Sequence, residues 1–69
     1  MTQHEFLTSL GARIKELRLN KDISQKDLAM DCDFEKSNMS RIESGKTNIT
    51  ILTLYKISNA LDTEIKDFF

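Results

Sequence analysis

Ser24-Gln25-Lys26-Asp27-Leu28-Ala29-Met30-Asp31-Cys32-Asp33-Phe34-Glu35-Lys36-Ser37-Asn38-Met39-Ser40-Arg41-Ile42-Glu43-Ser44-Gly45 carries two short helical patterns on either side of a turn. Ser24 stands as an N-cap, and Asp27 occupies the place that a capping box usually gives to Glu. The helix that starts here turns Leu28, Ala29 and Cys32 inward and is expected to end near Asp33. A second helix is expected from about Lys36 to Ser44, with Met39 and Ile42 as its apolar positions and Phe34 anchoring the turn before it. Gly45 supplies the left-handed residue that commonly follows a helix end. Helices joined by so short a turn cannot lie antiparallel; they cross at about 90–120°, which presents one of them outward. Ala29 is the small side chain that such a close crossing needs.

Outward from this stretch the chain stays helical. Phe6, Leu7, Leu10, Ile14 and Leu17 fall on one stripe, which predicts a first helix from about Glu5 to Asn20. Asn20-Lys21-Asp22 breaks it. Beyond the Lys46–Ile49 loop, Thr50 can cap a fourth helix bearing Ile51, Leu54, Ile57, Ser58 and Leu61. Asp62-Thr63 ends that helix, and Ile65 and Phe68 sit on a short fifth one. Strand patterns of period two are absent, and so are linkers and repeats. The expectation is one all-α domain of five short helices over residues 1–69, its helix-turn-helix spanning about 24–44.

Composition excludes several classes of function. With 69 residues and 39% hydrophobic content there is room for one small core. A lone cysteine, Cys32, and a lone histidine, His4, leave no disulfide and no metal site of Cys/His spacing. Cys32 fits the core better than a redox role, and His4, in a segment expected to fray, is assigned nothing. No apolar run approaches the ~20 residues needed to cross a membrane. Met1-Thr2-Gln3-His4-Glu5 lacks the basic start of a signal peptide, so the cytosol is the expected compartment. No nucleophile–base set, carboxylate pair or Gly-rich phosphate loop is present, and neither an enzyme, a cofactor nor a small-molecule ligand is expected. The net charge of −1 leaves nucleic-acid binding open, although Arg13, Lys15, Arg18 and Lys21 face only Glu16 between Leu10 and Lys21.

In register, Arg18, Ser24-Gln25, Leu28-Ala29, Met39-Ser40-Arg41-Ile42-Glu43, Gly45-Lys46, Leu54, Ala60-Leu61 and Phe68-Phe69 resemble the Xre-type helix-turn-helix domains. That family includes lambdoid phage repressors, Cro proteins and restriction-modification controllers. The resemblance covers about Leu10 to Phe69 and implies a compact lambda-repressor-like fold and sequence-specific binding of double-stranded DNA in the regulation of transcription. It has departures: Asp33 stands at a turn position usually held by Gly, Glu35 replaces the usual Ser or Thr, Ile49 replaces Pro, and Asp62 replaces the Gly after the fourth helix.

The resemblance also implies roles. The helix from Lys36 to Ser44 enters the major groove, so Lys36, Ser37, Asn38, Ser40 and Arg41 are the base-reading candidates; Lys36 and Arg41 suit guanine O6 and N7, and Asn38 suits adenine. Gln25, with the backbone N–H groups at the start of its helix, would clamp a phosphate, and Ser44, Lys46, Thr47 and Asn48 would grip the backbone on the far side. Arg18 and Glu43 are expected to form a largely buried structural salt bridge. One recognition helix reads few base pairs, so a homodimer on an inverted-repeat operator is expected. Its seam is expected at Ile65, Phe68 and Phe69, bordered by Leu61 or by Tyr55, which could equally be core-edge packing. The rival reading is an antitoxin of the same fold that masks a toxin; RNA polymerase is the other possible protein partner.

Overall fold

The computed structural model describes all residues from Met1 to Phe69 as four α-helices and one terminal turn, with no strand. α1 runs Gln3–Asn20, α2 Gln25–Asp31, α3 Lys36–Glu43 and α4 Ile51–Ala60. The expected fifth helix is a single 3-10 turn, Ile65–Phe68. The reason is local. Asp67 and Phe69 donate to carbonyls only three residues back, and the Asp67 carboxylate reaches back to the Glu64 N–H at 3.0 Å, which closes a tight four-residue turn.

Each α-helix starts where a side chain can accept an orphan N–H, with one exception. Thr2 accepts from the Glu5 N–H and the Glu5 carboxylate accepts from the Thr2 N–H, a full capping box. α1 therefore begins two residues earlier than the apolar stripe implied, and His4 lies inside a capped helix rather than in a frayed end. Ser24 caps α2 through the Asp27 N–H and Thr50 caps α4 through the Thr53 N–H. The reciprocal half expected of Asp27 does not form; its side chain is one methylene shorter than the Glu of a full capping box. Glu35, at the start of α3, makes no side-chain cap bond.

All four helices stop in the same way. The N–H groups of Ile23, Phe34, Lys46 and Thr63 reach back to the carbonyls of Arg18, Ala29, Arg41 and Ser58, each closing over a left-handed residue. Gly45 is that residue only after α3; Asp22, Asp33 and Asp62 hold φ of 56°, 62° and 54° at the other three ends. α2 accordingly ends at Asp31, two residues before the expected boundary.

α1 is about 27 Å long at 1.5 Å per residue, close to the 30 Å length of the whole molecule. α2 and α3 pack on each other, α1 covers α3, and α4 covers α2. The core holds Leu10, Ile14, Leu28, Ala29, Cys32, Met39, Ile42, Leu54, Ile57, Leu61 and Phe68. Leu61 was expected to border a dimer seam, and Phe68 to lie in it. Both are instead buried in this core, Leu61 completely. Phe6 departs the other way. It belongs to the inward stripe by spacing, yet it is exposed and stacks on Phe69 with ring centroids 6.0 Å apart.

No helix is long and apolar enough to cross a membrane. Burial, with the Asp31 carboxylate adding and Lys56 opposing, pushes the Cys32 thiol up from 9.0 to about 11. It stays protonated and unreactive at neutral pH.

Candidate nucleic-acid interface

α3 owes its position to a close approach of two backbones. Gly11 in α1 lies against the end of α3, where a Cβ would stand 2.4 Å from the Ile42 carbonyl oxygen and 2.6 Å from that of Glu43. Only glycine lets the helices meet so closely. One turn earlier, Thr8 lies against Gly45, so α1 braces both the last turn of α3 and the residue that ends it. No sequence pattern announced these contacts, because each joins residues more than 30 positions apart.

Met39, Ile42 and Glu43 are the buried residues of α3. At 100° per residue the opposite side is a ridge of Ser37, Arg41 and Ser44, flanked by Ser40; all four are exposed. Lys36 is exposed at the edge beside Glu43, and Asn38 is half-buried at the opposite edge. The expected base-reading residues thus share one outward surface, with Ser37 and Arg41 at its crest. Ser44 is at that surface but already employed: its hydroxyl donates to the Ser40 carbonyl at 2.9 Å and finishes the helix. Lys46 is exposed just beyond, and Thr47 is half-buried. Asn48 lines a groove of about 460 Å³ between α1 and α4, together with Gln3, Phe6, Ile51 and Phe69.

Arg13, Arg18 and Lys66 are each paired with a carboxylate, whereas Lys36, Arg41 and Lys46 are not, and neither are Lys15, Lys21, Lys26 and Lys56 on other elements. The cations around α3 are therefore available to an external anion. The acidic exception is Glu35, exposed and uncapped at the front of the helix.

The Arg18–Glu43 pair forms as expected. Arg18 Nε donates to Glu43 Oε2 at 2.7 Å and Nη2 donates to Oε1 at 3.0 Å, while Nη1 donates to the Ile23 carbonyl at 2.8 Å. The side chains are 7% and 3% exposed. A third member was not legible in the sequence: Gln25 Nε2 donates to Glu43 Oε1 at 3.1 Å. The three residues come from α1, α2 and α3, and they tie the start of α2 to the last turn of α3.

Two packed helices joined by a four-residue turn, the second braced by α1 and bearing an outward ridge of donors, describe a helix-turn-helix, and a family model described by that name matches residues 14–68. The chain belongs to the helix-turn-helix family. Among curated proteins, it is 38% identical over 58 residues to control protein C.BamHI of Bacillus amyloliquefaciens, covering 83% of this chain and 72% of that protein. It is 37% identical over 60 residues to control protein C.MunI of a Mycoplasma species, covering 86% and 81%. Among solved structures, it is similar to the restriction-modification controller protein C.AhdI from Aeromonas hydrophila. That match has a TM-score of 0.92 and 32% identity, and covers 94% of this chain and 98% of that one. The matched residues include α2, the Cys32–Glu35 turn and α3.

Proposed function

We propose that this protein is a transcriptional regulator that binds a specific duplex DNA sequence by inserting α3 into the major groove. The observation that carries the reading is the Ser37–Arg41–Ser44 ridge, set opposite the core and bordered by the unpaired cations Lys36 and Lys46. Arg41 suits a bidentate guanine contact, with Lys36, Ser37, Asn38 and Ser40 as neighbouring readers. Gln25 on one side, and Lys46 with Thr47 on the other, hold phosphates. The likeness to controller proteins favours this role over the masking of a toxin.

The regulator acts as a two-fold dimer. Ile51, Leu52, Tyr55 and Phe69 are exposed large hydrophobics, and Phe6 joins them by its stack on Phe69. This surface of the first turns of α4 and the chain's last residue replaces the Leu61 and Phe68 seam that spacing suggested. A two-fold pairing presents two α3 helices about 34 Å apart to half-sites centred about 10–10.5 base pairs apart. Selection from a random duplex pool tests both parts at once: the expected product is an inverted repeat, bound with a steep salt dependence. A pool that yields no enriched sequence overturns the reading. Phe69→Asp should shift sedimentation toward monomer and lengthen the protein range over which DNA binding saturates.

A further inference from the structure

We infer that Glu43, besides pairing with Arg18, is a positioning residue for DNA: it holds the Gln25 amide ready for the phosphate. This rests on the binding mode proposed above. Three observations carry it. Glu43 Oε1 accepts from both Arg18 Nη2 and Gln25 Nε2, at 3.0 and 3.1 Å, so one oxygen serves the fold and the interface together. A carboxylate only accepts, which forces the nitrogen side of the Gln25 amide toward it; the flipped amide would set two oxygens against each other. Gln25 is the first residue of α2 and only half-buried, so solvent is not shut out from its side chain.

The consequence follows from counting donors. An amide nitrogen carries two N–H groups, and Glu43 takes one; the other is left for a phosphate oxygen. Arg18 matters as well, since its charge cancels that of Glu43 and lets a carboxylate stand beside an anion. Without this anchor, the glutamine side chain must be ordered when DNA binds. Immobilising such a side chain costs about 0.5–1.5 kcal/mol, which is about a 2- to 12-fold loss of affinity. The effect is independent of base sequence, because Gln25 touches no base.

The test is a double-mutant cycle on binding to the selected operator and to scrambled duplex of equal length. Glu43→Asp keeps the charge opposite Arg18 but withdraws the carboxylate by one C–C bond, about 1.5 Å. Arg18→Met with Glu43→Leu removes the pair while filling its volume, an exchange that folded proteins often tolerate. In the parent protein, Gln25→Ala should weaken operator and scrambled duplex alike, by about 10-fold. In either altered background, the same change should cost only about 2-fold, and the base-preference profile should stay as in the parent. Equal Gln25→Ala losses in parent and variants would show that Glu43 serves the fold alone, and would overturn the inference. Thermal melting of each variant separates loss of fold from loss of anchor; the cycle is read on whichever background melts cooperatively. A parent that selects no sequence would instead defeat the binding mode itself, an outcome distinguishable from the other two.

Discussion

Gly11→Ala sets two physical effects against each other with opposite signs. By helix propensity alone, alanine in mid-helix is better than glycine by about 1 kcal/mol, so the variant should be stabilised. The structure says otherwise. The new Cβ would sit 2.4 Å from the Ile42 oxygen, 2.6 Å from the Glu43 oxygen and 2.8 Å from the Glu43 carbonyl carbon, where ordinary contact begins at 3.4 Å. All three atoms are backbone, so no rotamer change relieves them, and the end of α3 must retreat by roughly 1 Å. That retreat stretches the Arg18–Glu43 bonds of 2.7 and 3.0 Å and opens space beside Ile42 and Ile14. Overpacking costs about 1–3 kcal/mol, and the value here belongs at the top of that range. Subtracting the propensity gain leaves a net loss of about 2 kcal/mol. For a domain of this size that lowers the melting temperature by roughly 8–16 °C. Far-UV circular dichroism melts of Gly11→Ala measure it. Ala12→Gly, at the exposed neighbouring position, supplies the propensity term in the same helix. A Gly11→Ala protein that melts at or above the parent would refute the backbone approach.

Other substitutions probe other links. Asp33→Gly, at φ 62°, removes both the cost of a Cβ in the left-handed region and a negative charge at a helix C-terminus, and should raise stability by about 0.5–1 kcal/mol in urea unfolding. An unchanged midpoint would mean that Asp33 carries no strain. Glu35→Ser supplies the missing cap of α3 and deletes a charge that the proposed binding mode sets toward phosphate, so melting temperature and affinity for every duplex should both rise. A rise in stability without a gain in affinity would place Glu35 away from DNA. Arg41→Ala should cost about 1–3 kcal/mol on the operator and relax preference at one base pair, read on single-base variants; an unchanged profile would assign Arg41 to phosphate. The raised Cys32 thiol links folding to alkaline pH. Because the folded protein holds this proton more tightly, its contribution is whole below pH 9.0 and is lost as pH rises to about 11. Cys32→Ala should flatten that part of the stability profile, and identical profiles would deny the linkage.

Much of the helix-turn-helix could be read directly, because its signals are local. Ser24 and Thr50 cap N–H groups three residues away, Gly45 ends α3 within one turn, and the Met39–Ile42 spacing sets the inner face of a helix whatever lies beneath it. The outward set from Lys36 to Arg41 follows from the same periodicity. The Arg18–Glu43 pair was legible only through family resemblance, since nothing within either helix points to a partner 25 residues distant.

Tertiary structure alone decided the rest. The stripe of α1 could not say that Phe6 would find no covering helix, because coverage depends on where α4 and the last turn come to lie. Three large apolar residues within Ile65–Phe69 were equivalent candidates for a seam. The 3-10 turn rotates Phe68 into the core, leaves Ile65 half-buried and puts Phe69 outside. Gly11 reads as an unremarkable glycine until the carbonyls of Ile42 and Glu43 stand against it. Gln25 likewise has an ordinary place at a helix start until α3 brings it Glu43. Capping, turn closure and periodicity act over one to four residues and are written in neighbouring side chains. Close approach, burial and shared hydrogen bonds arise between segments distant along the chain, and their geometry exists only once the helices have packed.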